Sequence, residues 1–282
     1  MQKHRQLDRQ TLLAAADFPR CLRHASVRLS LCHSDSDLSM NAVIDPFSFH
    51  PELRDKIEDP LESYFRTFDI ESVLERRPEL AWLREMIHTA AQRDENRLNL
   101  LRDLPAEDIW VFAYGSLMWN PAFIFSEVRR AHVPDYERRF ILKDTMGARG
   151  FPENPGLMAA LDVGTGCDGL LFRIPHEIIE TETEILWRRE FVAPTYLPQF
   201  VTATFGDTTV QALTFVADHN ADQIVGDISR DEQVRYLTMG EGLMGTSLAY
   251  LANIVSQFEA LGIVDDECAF LLAAANEKMA AS

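Results

Sequence analysis

At 282 residues the chain has room for one large domain, or for a typical domain with a substantial appendage. Its 44 Asp and Glu against 27 Lys and Arg leave a net charge of −17, which argues against sequence-general binding of nucleic acid and against anionic membrane surfaces, both of which need clustered cations. No apolar run reaches the roughly 20 residues of a membrane span, no secretory segment follows the amino terminus, and Cys21, Cys32, Cys167 and Cys268 form no C-x-x-C pair, so a cytoplasmic protein with reduced thiols is expected.

Residues 1–45 differ from the rest. Met1 to Met40 carries six Lys or Arg against four Asp, a positive piece on an acidic chain, and reads as a poorly ordered or auxiliary segment, with Met40 a candidate natural start. Residues 46–105 read as a helical extension: "PELAWLREMIHTAAQRDENRLNLL" places Leu80, Leu83, Ile87 and Ala91 at spacings of three and four, on one face of a helix.

After Pro105 the periodicity changes, and residues 106–282 read as a separate, strand-rich domain. "IWVFAY", "RRFILKD", "GLMAALDV", "CDGLLFRIP", "FVTATF" and "VQALTFVAD" are strand-like runs separated by Gly, Pro and Asp, at the spacing of a meandering mixed sheet or barrel. "HEIIETETEILWRREF" is a helix between Pro175 and Pro194, and "TSLAYLANIVSQFEAL" with "DECAFLLAAANEK" makes a helical pair at the carboxy end. The class is α+β, with about six strands and peripheral helices.

Three motifs are decoys. "GEGLMG", Gly240 to Gly245, matches G-x-G-x-x-G with Asp265 beyond it, but the preceding "RDEQVRYLTM" reads as a helix and not as a buried strand, so a helix connection is expected rather than a dinucleotide loop. Ser116 lacks the flanking glycines of a nucleophile elbow. Cys167 has no basic neighbour in sequence to make a thiolate. The eight histidines show no metal-ligand spacing, and no metal or other cofactor is expected.

Two pieces remain. "VFAYGSLMWNPAF" runs from an apolar strand straight into Gly115-Ser116, the sort of turn at which backbone N–H groups lie bare, and "WRREF" places Glu190 beside Arg188 and Arg189. A nest of amides favours a carboxylate and a separate carboxylate accepts a proton, which together suit a substrate carrying both an acid and an amine. A plain sheet turn and a solvated helix face are the alternatives, and the residues alone leave the choice open.

"VFAYGSLMWNP", "YERRFIL", "ARGFPENPGLMAALD", "CDGLLFRIP", "WRREF", "YLPQFV" and "GTSLAYL", in this order over about residues 108–275, resemble the ChaC-like family of γ-glutamylcyclotransferases. The resemblance implies a small mixed β-barrel flanked by helices and an enzyme, a carbon–nitrogen lyase, that cleaves glutathione to 5-oxoproline and cysteinylglycine. It further implies that Val111, Phe112, Ala113, Tyr114, Gly115, Ser116 and Leu117 cradle the γ-glutamyl group, chiefly through backbone atoms. Glu190 is then the general base, Tyr250 lines the pocket, and Tyr114 serves as wall or as donor.

Two positions depart from the family pattern. Ala113 stands where many relatives have Gly, and Ala148 stands where many have His before the Arg-Gly pair, which leaves Arg149 a bare binding candidate. The expected partner is a small-molecule substrate, without nucleic acid, membrane or obligate protein partner. Cyclotransferase action on other γ-glutamyl amines or dipeptides is the nearest rival, and a non-catalytic binding or regulatory protein of the same fold is the rival from another class. Glu190 speaks against the second, since a pure binding module needs no base there.

Overall fold

A computed structural model describes residues 45–281, so the expectations for the amino-terminal segment before Asp45, with Cys21, Cys32 and Met40, lie outside the described residues. From Asp45 the chain forms short 3-10 turns at Pro51–Leu53 and Tyr64–Arg66, the helix α1 (Ile70–Arg76), a 3-10 helix (Pro78–Glu85) and α2 (Ala90–Leu101).

The long amphipathic helix expected across residues 78–101 is therefore divided. Pro78 starts a separate turn because it has no N–H to give the preceding helix, and Thr89 starts α2 afresh with a capping box, its hydroxyl accepting from Gln92 N and its own N–H donating to Gln92 Oε1. Leu80 and Leu83 are buried as expected, whereas Ala91 is exposed. The buried residues of α2 are Arg93 and Arg97, whose methylene stems pack while the guanidinium groups find carbonyls, Arg93 that of His88 and Arg97 that of Glu180.

The sheet is built from β1 (Ile109–Ala113), β2 (Glu127–Val133), β3 (Tyr136–Asp144), β4 (Gly156–Val163), β5 (Cys167–Ile174), β6 (Tyr196–Phe205) and β7 (Thr208–Ala217). Its order is β1-β5-β2-β6-β7, and β7 returns to pair with β1 in parallel at Trp110↔Ala212 and Val111↔Leu213, closing a ring of five strands. β4 joins β7 in parallel through Leu161↔Val216, and β3 pairs with β4 antiparallel, so these two strands flank the ring. Closure removes the free edges that an open sheet would expose.

The strand missing from the sequence expectation is β2. Its stretch "EVRRAHV" puts Arg129 and Arg130 side by side and so breaks the alternation, yet it pairs with β5 along its whole length and reaches β6 at His132↔Thr204. Without it β5 and β6 would not be joined.

Four more helices follow: α3 (Ile179–Glu190), α4 (Arg230–Met239), α5 (Ser247–Leu261) and α6 (Asp266–Ala280). Ser229 and Glu232 make a capping box at α4, Thr246 and Asp265 cap α5 and α6, and Gly262 ends α5 with φ +61, a left-handed conformation that suits Gly. "GEGLMG" proves to be the link between α4 and α5, a two-residue-stranded hairpin of β8 (Glu241–Gly242) and β9 (Gly245–Thr246). A helix precedes it, and its loop amides donate to Gly147 O and Ala148 O.

Two of the clusters that the strands bury meet at β1. Val111, Ala113, Phe172, Leu213 and Phe215 pack with Leu186 and Trp187 of α3 and Leu251, Ile254 and Phe258 of α5. A second cluster, which includes Phe112, Tyr114, Ala131, Leu171, Val201 and Val216, is made of β-strand residues and the adjoining Tyr114. β1 thus sends alternate side chains into both, which leaves its end, at Tyr114-Gly115, as the place where its backbone emerges.

Candidate active site

Val111, Phe112 and Ala113 are almost wholly buried, and Leu117 joins the same helix-covered core as Val111 and Ala113. Their side chains are packing residues, and what this stretch offers a ligand is backbone. Immediately after β1 the chain makes the 3-10 turn Ser116–Met118, so the amides of its first residues have no carbonyl within the turn to donate to.

Gly115 sits in close approach to α5. A methyl group placed on it would come within 2.6 Å of the Tyr250 hydroxyl, with the next ring atom at 3.7 Å. Tyr250 itself is buried, wedged edge-on between Trp119 and Phe140, and burial pushes its hydroxyl well above the usual phenol range. The Arg149 guanidinium lies 5.5 Å from the Tyr250 ring centre and donates to the carbonyls of Met244 and Thr246. The loop carrying Arg149 is shaped by Asp144, whose buried carboxylate accepts the amides of Met146, Arg149 and Gly150.

Glu190 stands at the last residue of α3 with its side chain 17% exposed, beside Arg189 at 5%. Arg189 Nε donates to Glu190 Oε1 across 2.7 Å, one terminal amine donates to Ser116 Oγ across 2.7 Å, and the other to Asn120 O. The guanidinium therefore ties the carboxylate to the Gly115-Ser116 turn. Burial raises the Glu190 carboxyl above the ordinary carboxylate value, against the opposing pull of the Arg189 charge, and the same burial lowers Arg189. The Glu190 charge in turn acts on the Tyr114, Tyr196 and Tyr250 hydroxyls, which burial already holds protonated. Tyr114 donates to Phe215 O at 2.8 Å, so its hydroxyl is anchored to β7.

The fold thus brings Tyr114, Gly115, Ser116, Arg149, Glu190 and Tyr250 into one neighbourhood. It adds four residues the sequence reading did not assign. Arg189 and Tyr196 stood in segments already singled out, "WRREF" and "YLPQF", but nothing in the spacing distinguished them from packing. Asn120 likewise stood in "VFAYGSLMWNPAF", whereas Glu58, whose Oε2 accepts from Asn120 Nδ2 at 2.6 Å from 62 positions away, has no sequence signal. Cys167 is buried, with its thiol pushed upward by that burial, and the nearby Arg138 is committed to Tyr114 O, Asp168 O and Asp265. Among the described residues no group of three or more His, Cys, Asp or Glu converges as a metal site would require.

A half-buried carboxyl of raised proton affinity, a fixed guanidinium, phenols and a turn of bare amides are groups suited to acid–base chemistry on a small anionic substrate, and they are carried on a closed mixed barrel. The family described as "ChaC-like protein" matches residues 109–278. The glutathione-specific γ-glutamylcyclotransferase of Escherichia coli is 32% identical over 197 residues, which are 69% of this chain and 85% of that one. γ-Glutamylcyclotransferase 2-1 of Arabidopsis thaliana is 30% identical over 180 residues, covering 60% of this chain and 81% of its own. The chain belongs to the ChaC-like family. The crystal structure of the yeast γ-glutamyl cyclotransferase specific to glutathione shares the fold, with a TM-score of 0.55 at 20% identity over 61% of this chain and 99% of that one.

Proposed function

We propose that this protein is a glutathione-specific γ-glutamylcyclotransferase with Glu190 as its general base. The observation that carries the reading is the buried Glu190 carboxylate tied through Arg189 to Ser116, which puts a base of raised proton affinity beside a turn suited to an anionic group. The names and identities of the Escherichia coli and Arabidopsis relatives support it.

The reaction needs the α-amine of the γ-glutamyl group to attack its own γ-carbonyl carbon, closing a five-membered ring. Near neutral pH that amine is mostly an ammonium without a lone pair, so a proton must leave first. Glu190 takes it. The amine nitrogen then bonds to the carbonyl carbon and, on losing a second proton, becomes the lactam N–H; the bond from that carbon to the cysteinyl nitrogen breaks, and both protons, the first returned by Glu190, end on the departing nitrogen, which leaves as an ammonium. The products, 5-oxoproline and cysteinylglycine, contain all the atoms of glutathione, and no covalent enzyme intermediate is required. The pocket's task is to hold the substrate in the folded geometry that makes the attack intramolecular. Backbone amides at Gly115-Ser116 receive the α-carboxylate, Tyr250 and Arg149 line the pocket, and the Arg189 charge favours the ionised form of the base against the burial that opposes it.

None of the helices among the described residues is long and apolar enough to cross a membrane. A reducing, cytoplasmic setting fits both the free Cys167 and Cys268 and a thiol substrate.

The test is release of 5-oxoproline from glutathione, γ-glutamyl-alanine and γ-glutamyl-lysine assayed in parallel. Turnover confined to glutathione is expected. Turnover of the other two instead would reassign the substrate class, and no product from any of the three would overturn catalysis.

A further inference from the structure

The catalytic end of α3 is held from outside the matched family region. Each residue around Glu190 has a partner between Asp45 and Pro105. Glu182 takes a two-pronged ion pair from Arg66, at 2.8 and 2.9 Å, and Trp187 Nε1 donates to Asn96 Oδ1 at 2.9 Å. Arg188 donates to the carbonyl of Arg66 at 2.9 Å. On the far side of Glu190, the His88 ring stacks on Phe191 with centroids 4.2 Å apart, and His88 N donates to Val192 O at 2.8 Å.

Arg189 is gripped most completely. Its in-plane donors are taken by Glu190 Oε1, Ser116 Oγ and Asn120 O, and the face of the guanidinium rests on the Phe65 ring, 4.3 Å from its centre. Asn120 is itself braced from the extension, through Ser63 Oγ to Asn120 Oδ1 at 2.7 Å and through Glu58. Three hydrogen bonds, one on each nitrogen, fix the fork within its plane, and an aromatic ring beneath it restrains the tilt of that plane.

We infer that residues 46–105 are a positioning device for the active site, in which Phe65 acts through Arg189 to hold the Glu190 carboxylate against the Gly115-Ser116 turn. The catalytic part of this statement rests on the function proposed above; the positioning part does not. The charged and titratable groups facing the pair are Glu58 from the extension, Tyr114, Tyr196 and Tyr250 from the barrel side, and Arg149 beside Tyr250. Phe65 bears on the carboxylate only through Arg189, so it is a positioning residue. It is half-buried, against Tyr64 and Phe68.

The experiment uses the full chain with Phe65→Met, which keeps the apolar volume and removes the ring, and Phe65→Tyr, which restores a ring. Phe65→Leu serves as the second ring-less variant should Met fail to fold. Two quantities are read: kcat and KM for glutathione, and the titration of Glu190 followed by NMR with 13Cδ-labelled glutamate, its signal assigned by its loss in Glu190→Gln. The ring-less variant is expected to lose roughly tenfold in kcat with KM little changed, and its Glu190 should titrate at higher pH because the guanidinium no longer sits squarely on the carboxylate. Phe65→Tyr should restore both. A folded ring-less variant with wild-type kcat and wild-type Glu190 titration, or a loss confined to KM, overturns the inference while leaving the proposed function standing. If the wild-type chain releases no 5-oxoproline, the function falls, and the Glu190 titration alone then decides the positioning.

Discussion

Arg189 and Glu190 are consecutive residues of α3, yet their side chains converge on each other, Nε to Oε1 at 2.7 Å, instead of diverging around the helix. They do so because α3 ends there: the Phe191 N–H still bonds back to Trp187 O, but Phe191 itself has left helical geometry at φ −108, ψ 37. Free of a following turn, the carboxylate swings back to its neighbour. The pair combines two opposed effects, since burial favours the neutral acid and the adjoining cation favours the carboxylate. Burial is the larger of the two, so the carboxyl holds its proton more tightly than an ordinary carboxylate does.

Glu190→Gln keeps size and leaves an oxygen to accept from Arg189, but it takes no proton. It should lower kcat by roughly 10²–10⁴-fold while a non-cyclising glutathione analogue binds with nearly unchanged affinity. Steady-state assay paired with calorimetry checks this, and a folded Gln variant turning over at close to the wild-type rate would remove Glu190 from the mechanism.

The pH dependence has a definite sign. In the proposed mechanism Glu190 works in its ionised form, so kcat should fall as pH drops through a value raised above the ordinary 4.5, and Arg189→Met, which deletes the opposing charge, should move that acid limb to higher pH. The same group binds its proton more tightly folded than unfolded. Its contribution to stability is therefore complete below 4.5 and is lost as pH rises through the raised value. Glu190→Gln should lack that component of the stability profile, as measured by urea unfolding across the acid range.

Gly115→Ala should impair substrate use, because its methyl group would meet the Tyr250 hydroxyl at 2.6 Å. Overpacking of this kind costs about 1–3 kcal/mol. In a Tyr250→Phe background the nearest ring atom is at 3.7 Å, an ordinary contact, so the added cost of Gly115→Ala should largely vanish. A double-mutant cycle on kcat/KM reads this directly. Additive effects of the two substitutions would mean that the hydroxyl does not hold the position described.

Arg66→Met should destabilise the fold strongly. Glu182 has a side chain only 2% exposed and takes its counter-charge from Arg66, with one more hydrogen bond from Ile124 N. Removing one partner of a buried pair costs about 3–5 kcal/mol because the other charge is left uncompensated. The double substitution Arg66→Met with Glu182→Gln should recover part of the loss in thermal denaturation, and a single variant as stable as wild type would show the pair to be inconsequential.

The local sequence was sufficient for the strands that alternate cleanly or run continuously apolar, such as "GLLFRI" in β5 and "ALTFVA" in β7, and for helices with clear boundaries, such as α3 after Pro175. Those signals depend on side chains a few residues apart, which a linear reading contains. It also singled out the Gly115-Ser116 turn and, through the ordered segments of the family pattern, Glu190 and Tyr250, which folding sets close to one another. It misjudged residues 78–101, where helical spacing continued across a Pro and a Thr–Gln cap that divide the segment, and it passed over β2, where two adjacent arginines hide a strand whose place is decided by its partners β5 and β6.

What tertiary structure alone decided is the meaning of the long-range contacts. Ring closure rests on β7 meeting β1 about a hundred positions earlier, and the Arg189 clamp gathers Phe65 from one distant stretch and Ser116 and Asn120 from another. Hydrogen bonds, ring stacking and buried ion pairs act over a few ångströms in space, whatever the separation along the chain. A residue such as Phe65 or Asn120, ordinary in its own neighbourhood, therefore acquires its role only when folding sets it against α3.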